Sequence, residues 1–597
     1  PESPTIAGNT SIGNGVAGFG VEFWHPIEFT QNNLQFKDTL TLERGRHSFR
    51  TGGEMRSGHD GATLHHWERP NYTFQSILDF IDDEAFTETR AVDPATGQST
   101  TAYGKYITNE WALFFQDNWK VRPNLTLNLG LRYDNFGNPS KDQIPFNGII
   151  LGPGSTRQEQ IATAKVGTVD KLFDTDWNNF APRFGISWDP SAEGKLVFRG
   201  GGGISYNRVN NTVFSDERLN PPQFAQAATS AQDATIPIVY TLGPNYPPNP
   251  ALGRGLDANG GIKGARVALR VVDPAIQSPM YYNWFAGVQR QLRWNFVVEA
   301  NYTGSAGRNV LSADGPTSED YNRFSGDLLD GVRNRLNPSF ASVDFNESRV
   351  DTNYNGVNMQ LLRRYSKGWA FQFAYTYGVL KDTPASSMDV THPELDYSYA
   401  SNDIRHKVAI NFVAEIPYSP SNTLLKAVLG GWQVNGVAIM QSGAPFTVIC
   451  GLAWPRCDFN ADGVNNDRVN LPPNGTDLGG PSQDDWFNGV FNAADFTNPA
   501  PGTFANESRN AFRGPGFKDL DLSLFKNFSI PGISGTRTSA LQIRIEAFNL
   551  FNWVNLNNPQ TATNNANFGK VTSVRGGTGV LSAGGFRVIQ LAVKYLF

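Results

Sequence analysis

Apolar and polar residues alternate one for one in segments of about ten residues, and the pattern recurs to the end of the chain. Leu125, Leu127, Leu129, Leu131 and Tyr133 fall on one face of such a segment; Thr126, Asn128, Gly130, Arg132 and Asp134 fall on the other. Successive side chains of a strand point to opposite faces, so this spacing predicts one lipid-like and one water-like surface. Leu541, Ile543, Ile545 and Ala547 repeat it against Gln542, Arg544 and Glu546. Trp369, Phe371, Phe373, Tyr375 and Tyr377 alternate with Ala370, Gln372, Ala374, Thr376 and Gly378. In Val408–Ile416 the second face is less cleanly polar, because Ala409 and Val413 interrupt it.

A soluble β-sandwich alternates too. Three features weigh against one here: the apolar faces are strongly aromatic, the connections alternate between very short and very long, and no set of helical segments is available to cover a sheet. Short turns are expected at Arg122–Asn124, Pro190–Gly194, Arg293–Asn295 and Ser366–Gly368. Between them lie long stretches rich in Gly, Asn, Pro and Asp, near 136–176, 208–278, 309–346, 383–401, 450–514 and 553–582. Outer-membrane barrels have short periplasmic turns and long external loops, so this alternation reads as a topology. Aromatic content of 12% with only 18% charged residues and 60 Gly agrees with an apolar belt, aromatic girdles and polar loops. A net charge of -5 gives no reason to expect nucleic acid as a partner. There is no apolar run long enough for a helical membrane span.

The fold class expected is all-β, an antiparallel transmembrane β-barrel, with about seventeen strand-like segments. The first is near Leu34–Leu42 and its hairpin partner near His47–Arg56. Weak segments follow near Trp67–Phe74 and Ala85–Val92, separated by a short helical turn at Ile77–Asp82, and the rest run from Asn109 onward. A closed bacterial barrel needs an even number, so an odd count implies that strands precede this chain. Five more would give the ~22 strands of plugged transporters. Residues 1–31 then read as an external loop segment and 32–597 as the barrel, incomplete on its N-terminal side. No export signal is visible at Pro1, and an outer-membrane protein needs one, so a trimmed N-terminus is expected.

The last segment places Ile589, Leu591, Val593, Tyr595 and Phe597 on one face, with Gln590, Ala592 and Lys594 on the other. Tyr595 and terminal Phe597 resemble the signature by which the barrel-assembly machinery recognises outer-membrane proteins. Other blocks resemble one family. Phe115-Gln-Asp-Asn-Trp-Lys-Val-Arg-Pro-Asn-Leu-Thr-Leu-Asn-Leu-Gly-Leu-Arg-Tyr-Asp134 is similar to a hairpin of TonB-dependent receptors. So are Phe180-Ala-Pro-Arg-Phe-Gly185, Gly430-Gly-Trp-Gln433 and Gln441-Ser-Gly-Ala-Pro-Phe446. Arg509-Asn-Ala-Phe-Arg-Gly-Pro515, Asp521-Leu-Ser-Leu-Phe-Lys526 and Arg544-Ile-Glu-Ala-Phe-Asn-Leu-Phe-Asn552 complete the set, which resembles the Oar-like kind of TonB-dependent receptor. The resemblance implies the C-terminal barrel portion of a 22-stranded transporter. It further implies a plug domain, a box engaging the TonB complex and often a carboxypeptidase-regulatory-like domain, none of which is recognisable here.

Asp458-Phe-Asn-Ala-Asp-Gly-Val-Asn-Asn-Asp467 is the candidate ion site. Oxygen donors at alternate positions followed by Gly463 resemble the first half of a calcium loop, with Asp458, Asn460 and Asp462 as ligands, Val464 through its carbonyl, and Asp467 closing the shell. An EF-hand wants Glu at its last position, where this chain has Val469, so calcium would be bound in another type of loop. A solvated Asn/Asp/Gly turn is the alternative. Cys450 and Cys457 are close enough in sequence for a local disulfide in an oxidising compartment. Arg132, Asp134, Arg199, Glu299, Asp519, Asp521, Arg544 and Glu546 are expected to face the lumen, where they contact a plug or substrate or pair with one another. Gly200–Gly203 lacks the phosphate-loop pattern and reads as a run that lets a wall strand bend or another backbone approach.

No nucleophile–base pair stands out, so no enzyme is expected. The resemblance implies TonB-dependent movement of a bulky ligand across the bacterial outer membrane, by uptake or export. A passive porin-like channel or a surface-adhesion barrel is the alternative. Outer-membrane lipid is the expected surroundings, and the ligand's identity cannot be read.

Overall fold

The computed structural model describes residues 9–13, 18–141, 145–230, 238–239, 249–312, 319–323, 335–384, 387–452, 456–460, 462, 467–530, 539–575 and 585–596. One antiparallel sheet of seventeen strands forms a wall. Two of these, Ser140–Lys141 and Ser398–Tyr399, are two-residue additions at the long-loop end. The remaining fifteen follow one another in chain order. They are β1 Ile27–Arg44, β2 His47–Leu64, β3 Ala102–Arg122, β4 Leu125–Asn135, β5 Phe180–Trp188, β6 Leu196–Tyr206, β7 Met280–Gln291 and β8 Phe296–Leu311. Then come β9 Ser348–Ser366, β10 Trp369–Asp382, β11 His406–Glu415, β12 Trp432–Gln441, β13 Phe517–Ile530, β14 Ser539–Phe548 and β15 Val588–Leu596. Each pairs antiparallel with the next, from the β1–β2 ladder to the β14–β15 ladder. Among the described residues no ladder joins β15 to β1, so the wall is not closed.

Two expectations change. The segments near Trp67–Phe74 and Ala85–Val92 leave the wall. Their strands, Asn71–Phe74 and Thr87–Val92, pair with each other in a second sheet. The count of about seventeen wall strands therefore becomes fifteen long ones among the described residues. The first wall strand also begins at Ile27, ahead of the boundary drawn after residue 31. Its lead-in alternates over Ile27-Glu-Phe-Thr30, but the polar run Gln31-Asn-Asn33 interrupts the pattern before Leu34 and hides the continuity of the strand.

Alternate connections are short, as the turn residues dictate. Lys367 (φ 50°) and Gly368 (φ 84°) form the two-residue turn between β9 and β10. Positive φ at both positions fits the right-handed twist of the flanking strands. At the other end the connections are long and structured. Seven strands there form a second sheet in the order Thr10–Ile12, Asn71–Phe74, Thr87–Val92, Ala225–Ser230, Val267–Val272, Phe340–Asn346, Glu319–Asp320. The apolar core sits in this layer: Phe340, Val343, Phe345, Leu269 and Ile161 pack in one cluster. Phe446, Val448, Trp486, Phe512 and Phe568 pack in another. A strand spans a bilayer in about 9–11 residues. β1 and β2 have 18 residues each and β3 has 21, so they project beyond a bilayer's depth. Their far ends carry the layer, with Ala62, Leu64 and Ala102 buried beneath Trp67, Leu219 and Phe224.

The wall inverts the usual rule of burial. Leu34, Phe36, Leu113, Leu129, Leu131, Phe184, Ile545 and Leu591 are all exposed, the last at 76%. The register places them on one continuous face: Leu131 opposes Phe115 and Pro182, and Ile545 opposes Leu524 and Leu591. An apolar surface of this extent marks an interaction surface, here one that suits lipid. We predict that Leu129→Arg destabilises the wall by roughly 2–4 kcal/mol, the cost of a cation near the bilayer midplane. Asn128→Arg, on the opposite face, should stay within about 0.5 kcal/mol. Denaturant unfolding from phospholipid vesicles measures both; equal losses would show that the two faces are misassigned.

Candidate functional site

The face opposite the apolar belt carries the polar and charged side chains of the wall. Following the register from β4 to β14 places Arg132, Asp134, Arg199, Glu299, Asp519, Asp521, Arg544 and Glu546 on this one face. Arg132 Nη2 lies 2.7 Å from Asp134 Oδ1 and 3.8 Å from Glu54 Oε2, which in turn lies 3.8 Å from Lys37 Nζ. The chain of charges crosses β1, β2 and β4 in one row. Nearby, Glu110 pairs with Arg56 at 3.1 Å and Arg208 at 2.9 Å. Arg544 sits 3.6 Å from Glu546 and 5.3 Å over the Phe525 ring. Asp521 accepts the Asn549 amide at 2.9 Å, while Asp519 is buried beside it.

Arg199 and Glu299 do not join either group. They line a recess of 840 Å³ together with Arg183, Asn283, Phe285 and Asn301. Asn301 donates to Glu299 at 2.7 Å. Gly201 and Gly203 form the floor of this stretch of β6. A Cβ on Gly201 would come within 2.8 Å of the Phe184 carbonyl oxygen, and one on Gly203 within 2.9 Å of the Arg183 side chain. Sequence reasoning missed Lys37, Glu54 and Arg183; Lys37 and Arg183 alternate with Leu34, Phe36 and Leu40 and with Pro182, Phe184 and Ile186, so the same signal could have found them, whereas the strand of Glu54 is rich in Gly and polar residues and carries no clean alternation. It also missed two ionic groups on the apolar face. Asp117 Oδ2 lies 2.7 Å from His47 Nδ1, and the His47 ring stacks between Phe49 and Trp119. Lys526 opposes Trp432 and Ile543.

In the loop layer, Cys450 and Cys457 are joined in a disulfide with Cα atoms 5.6 Å apart. Both are buried in the Phe446–Val571 cluster. The acidic loop that follows turns its oxygens onto backbone amides. Asp458 Oδ1 and Asn460 Oδ1 both accept the Asp462 N–H, at 3.0 and 3.2 Å. Asp462 Oδ2 takes Arg323 at 2.8 Å. Asp467 Oδ2 accepts the Asn460 N–H at 2.9 Å and that of Phe459. Burial pushes the Asp467 carboxyl up to about 7, against those amide bonds, with Asp462 and Asp458 adding to the rise. Among the described residues no group of three or more His, Cys, Asp or Glu is placed to hold a metal ion. Val464 lies outside the described residues, as does Phe597; Tyr595 stands on the apolar face opposite Leu541.

A family model described as "Outer membrane beta barrel domain" matches residues 1–590. The chain belongs to the outer-membrane β-barrel family. Its place is the bacterial outer membrane. No match is found among curated proteins. Among solved structures, the outer membrane transporter YddB from Escherichia coli is 10% identical with a TM-score of 0.46, over 95% of this chain and 54% of that one. The ferripyoverdine receptor of Pseudomonas aeruginosa is 11% identical at TM-score 0.44, over 95% and 48%. The siderophore receptor PiuA of Acinetobacter baumannii is 10% identical at 0.42, over 96% and 57%. The chain thus spans about half the length of these structures.

Two outcomes follow for this barrel's loop layer. Replacing Cys450 and Cys457 by Ser should cost roughly 2–3 kcal/mol of local stability, the loop entropy a short closed ring removes from the unfolded chain. Amide exchange across the Phe446–Val571 cluster reads the loss, and unchanged protection would show that the bond constrains nothing. Burial also raises the Glu507 carboxyl from 4.5 to about 8, although its Oε1 accepts the Val448 N–H at 2.9 Å. Between those two values the folded state holds a proton that the unfolded state has released. Stability should therefore fall as pH rises from 4.5 to about 8 and level off above. Glu507→Gln should flatten that slope in pH-resolved exchange; an unaltered slope would remove Glu507 as its source.

Proposed function

We propose that this barrel is the wall of a TonB-dependent transporter that moves a bulky ligand across the outer membrane. The observation that carries the reading is the charged face opposite the apolar belt, on a wall of fifteen strands that ends in a structured loop layer. Eight-stranded barrels fill their interior with side chains; barrels of about 22 strands enclose a lumen wide enough to need a plug. A wall this wide, polar within and apolar without, suits the second class. The blocks Phe115–Asp134, Phe180–Gly185, Arg509–Pro515 and Arg544–Asn552, which resemble those of TonB-dependent receptors, lie in or beside these strands.

On this reading the short turns face the periplasm and the loop layer faces outward. A closed wall of about 22 strands would place about seven more between β15 and β1. The recess at Arg183, Arg199 and Glu299 and the row Lys37–Glu54–Arg132–Asp134 then offer fixed charges to a plug or a ligand within the lumen. The test uses the full-length protein in planar bilayers in potassium chloride, together with a pull-down on the purified periplasmic domain of TonB. A silent bilayer and capture by TonB are expected. A steady ohmic current without TonB capture would overturn the reading in favour of a passive porin-like channel.

A further inference from the structure

The connection between β11 and β12 is the longest described at the short-turn end, and it carries a helix of which every residue is exposed. This helix, α1 Thr423–Leu429, has sequence Thr-Leu-Leu-Lys-Ala-Val-Leu. Leu424 and Val428 are one turn apart, as are Leu425 and Leu429, so the four make one apolar arc, with Thr423, Lys426 and Ala427 opposite. Leu424 is 79% exposed and Val428 59%. Ile416 and Tyr418, in the same connection, are exposed as well. Asn422 caps the first turn through its side-chain oxygen, so the helix is specified locally rather than by packing.

Two bonds fix where the helix lies. The Trp432 indole N–H donates to the Val428 carbonyl at 2.9 Å, and the Lys526 ammonium donates to the Ala427 carbonyl. Trp432 and Lys526 are cross-strand partners on the apolar face of the wall, in a row with Ile543 and Val593. The C-terminal end of α1 is therefore held over the lipid-facing belt, not over the lumen. Lys526 is 5% exposed, lies 4.8 Å from the centre of the Phe528 ring and meets the negative end of the helix dipole. A lysine in the lipid-facing row is tolerated near the membrane boundary, where its cost falls to about 0–1 kcal/mol. Exposed Trp294, Leu292, Tyr365 and Trp369 stand at the same end of neighbouring strands, as in an aromatic belt.

We propose that α1 is an interfacial anchor that inserts Leu424, Leu425, Val428 and Leu429 into the phospholipid leaflet at the short-turn end of the barrel. The occupant of this apolar arc is lipid, because the arc continues the lipid-facing belt to which its two tethers belong. Lys526 and Trp432 hold the helix flat against the boundary, with Lys426 directed to the polar side. The proposal rests on membership of the outer-membrane barrels; only the name of the leaflet, periplasmic, rests on the orientation given above, and transport does not enter.

The test is site-directed spin labelling of the full chain reconstituted in phospholipid nanodiscs. The native cysteines are joined to each other, so a new thiol reacts alone without reductant. Labels at Leu424→Cys and Val428→Cys should relax faster with dissolved oxygen than with a water-soluble nickel chelate, at a depth of roughly 5–10 Å. Asn411→Cys, on the lumen face, should show the reverse order, and Leu591→Cys, on the belt, the same order. Heat-modifiable gel mobility confirms that each barrel is folded. As a second measurement, bimane at Leu425→Cys should be quenched by brominated phospholipid. Chelate-dominated relaxation at 424 and 428 would put the helix in water and overturn the proposal. Screening from both reagents would mean that protein, not lipid, covers the arc, and would overturn it too. Absence of bromine quenching would do the same.

Discussion

A peptide N–H or C=O inside a bilayer has no water to pair with, so each must be satisfied within the protein. The fourteen ladders that join β1 to β15 meet this demand for every interior strand. That requirement fixes the rest. Pairing in chain order forces neighbours to run antiparallel, which sends alternate connections to opposite ends. Strict two-residue periodicity then separates the side chains. One face is left to apolar groups such as Leu131, Ile545 and Leu591. The other collects Arg132, Asp134, Arg544 and Glu546. Packing contributes little to the wall itself, and the apolar core of this protein lies in the loops instead.

The same division explains what could be read from the chain alone. A one-residue slip would flip every side chain, so the alternation at Leu125–Asp134 and Leu541–Ala547 fixes both strand and face. That eight charged residues share the face opposite the apolar belt was legible for that reason. The loop layer was not. Val267–Val272 is buried on nearly every residue, and Thr87–Val92 buries the charged Glu88 and Arg90 while Thr87 and Thr89 stay half-buried, so neither sequence carries an apolar alternation to tell wall from cap. Thus Trp67–Phe74 and Ala85–Val92 read as wall. The acidic loop shows another limit. Asp458, Asn460 and Asp462 have the spacing of ion ligands, yet that spacing also suits side chains that cap the local backbone, as Asp458 and Asn460 do on the Asp462 N–H. The fate of an Asp oxygen depends on Arg323, far away in sequence, which no local pattern contains.

On the polar face the charges divide into those already paired and those that border open space. Arg132 is held between Asp134 and Glu54, and Arg544 is held beside Glu546 and Gln542. Such groups rigidify the wall and offer little to a ligand without giving up a partner. Arg199 and Glu299 differ, because they border an open recess. Gly201 and Gly203 turn to the same face, and the space their side chains would take is filled by the Phe184 carbonyl, the Phe285 ring and the Arg183 side chain, so these glycines serve close packing of β6 against its neighbours.

Ionic groups on the apolar face, among them the His47–Asp117 pair and Lys526, obey the same constraint in reverse. A charge turned toward hydrocarbon is costly at the midplane and nearly free at the boundary. Asp117 and His47 meet this by pairing within an aromatic cluster of Phe49 and Trp119, next to the short turn at residues 45–46. Lys526 meets it by reaching the carbonyl end of a helix that no strand requires. A lysine in that row would otherwise face Ile543 and Val593 with no acceptor. The helix therefore answers a need the wall creates. Its own apolar arc then faces the medium that made the lysine expensive, so one local sequence resolves both the charge on the belt and the boundary at which the belt ends.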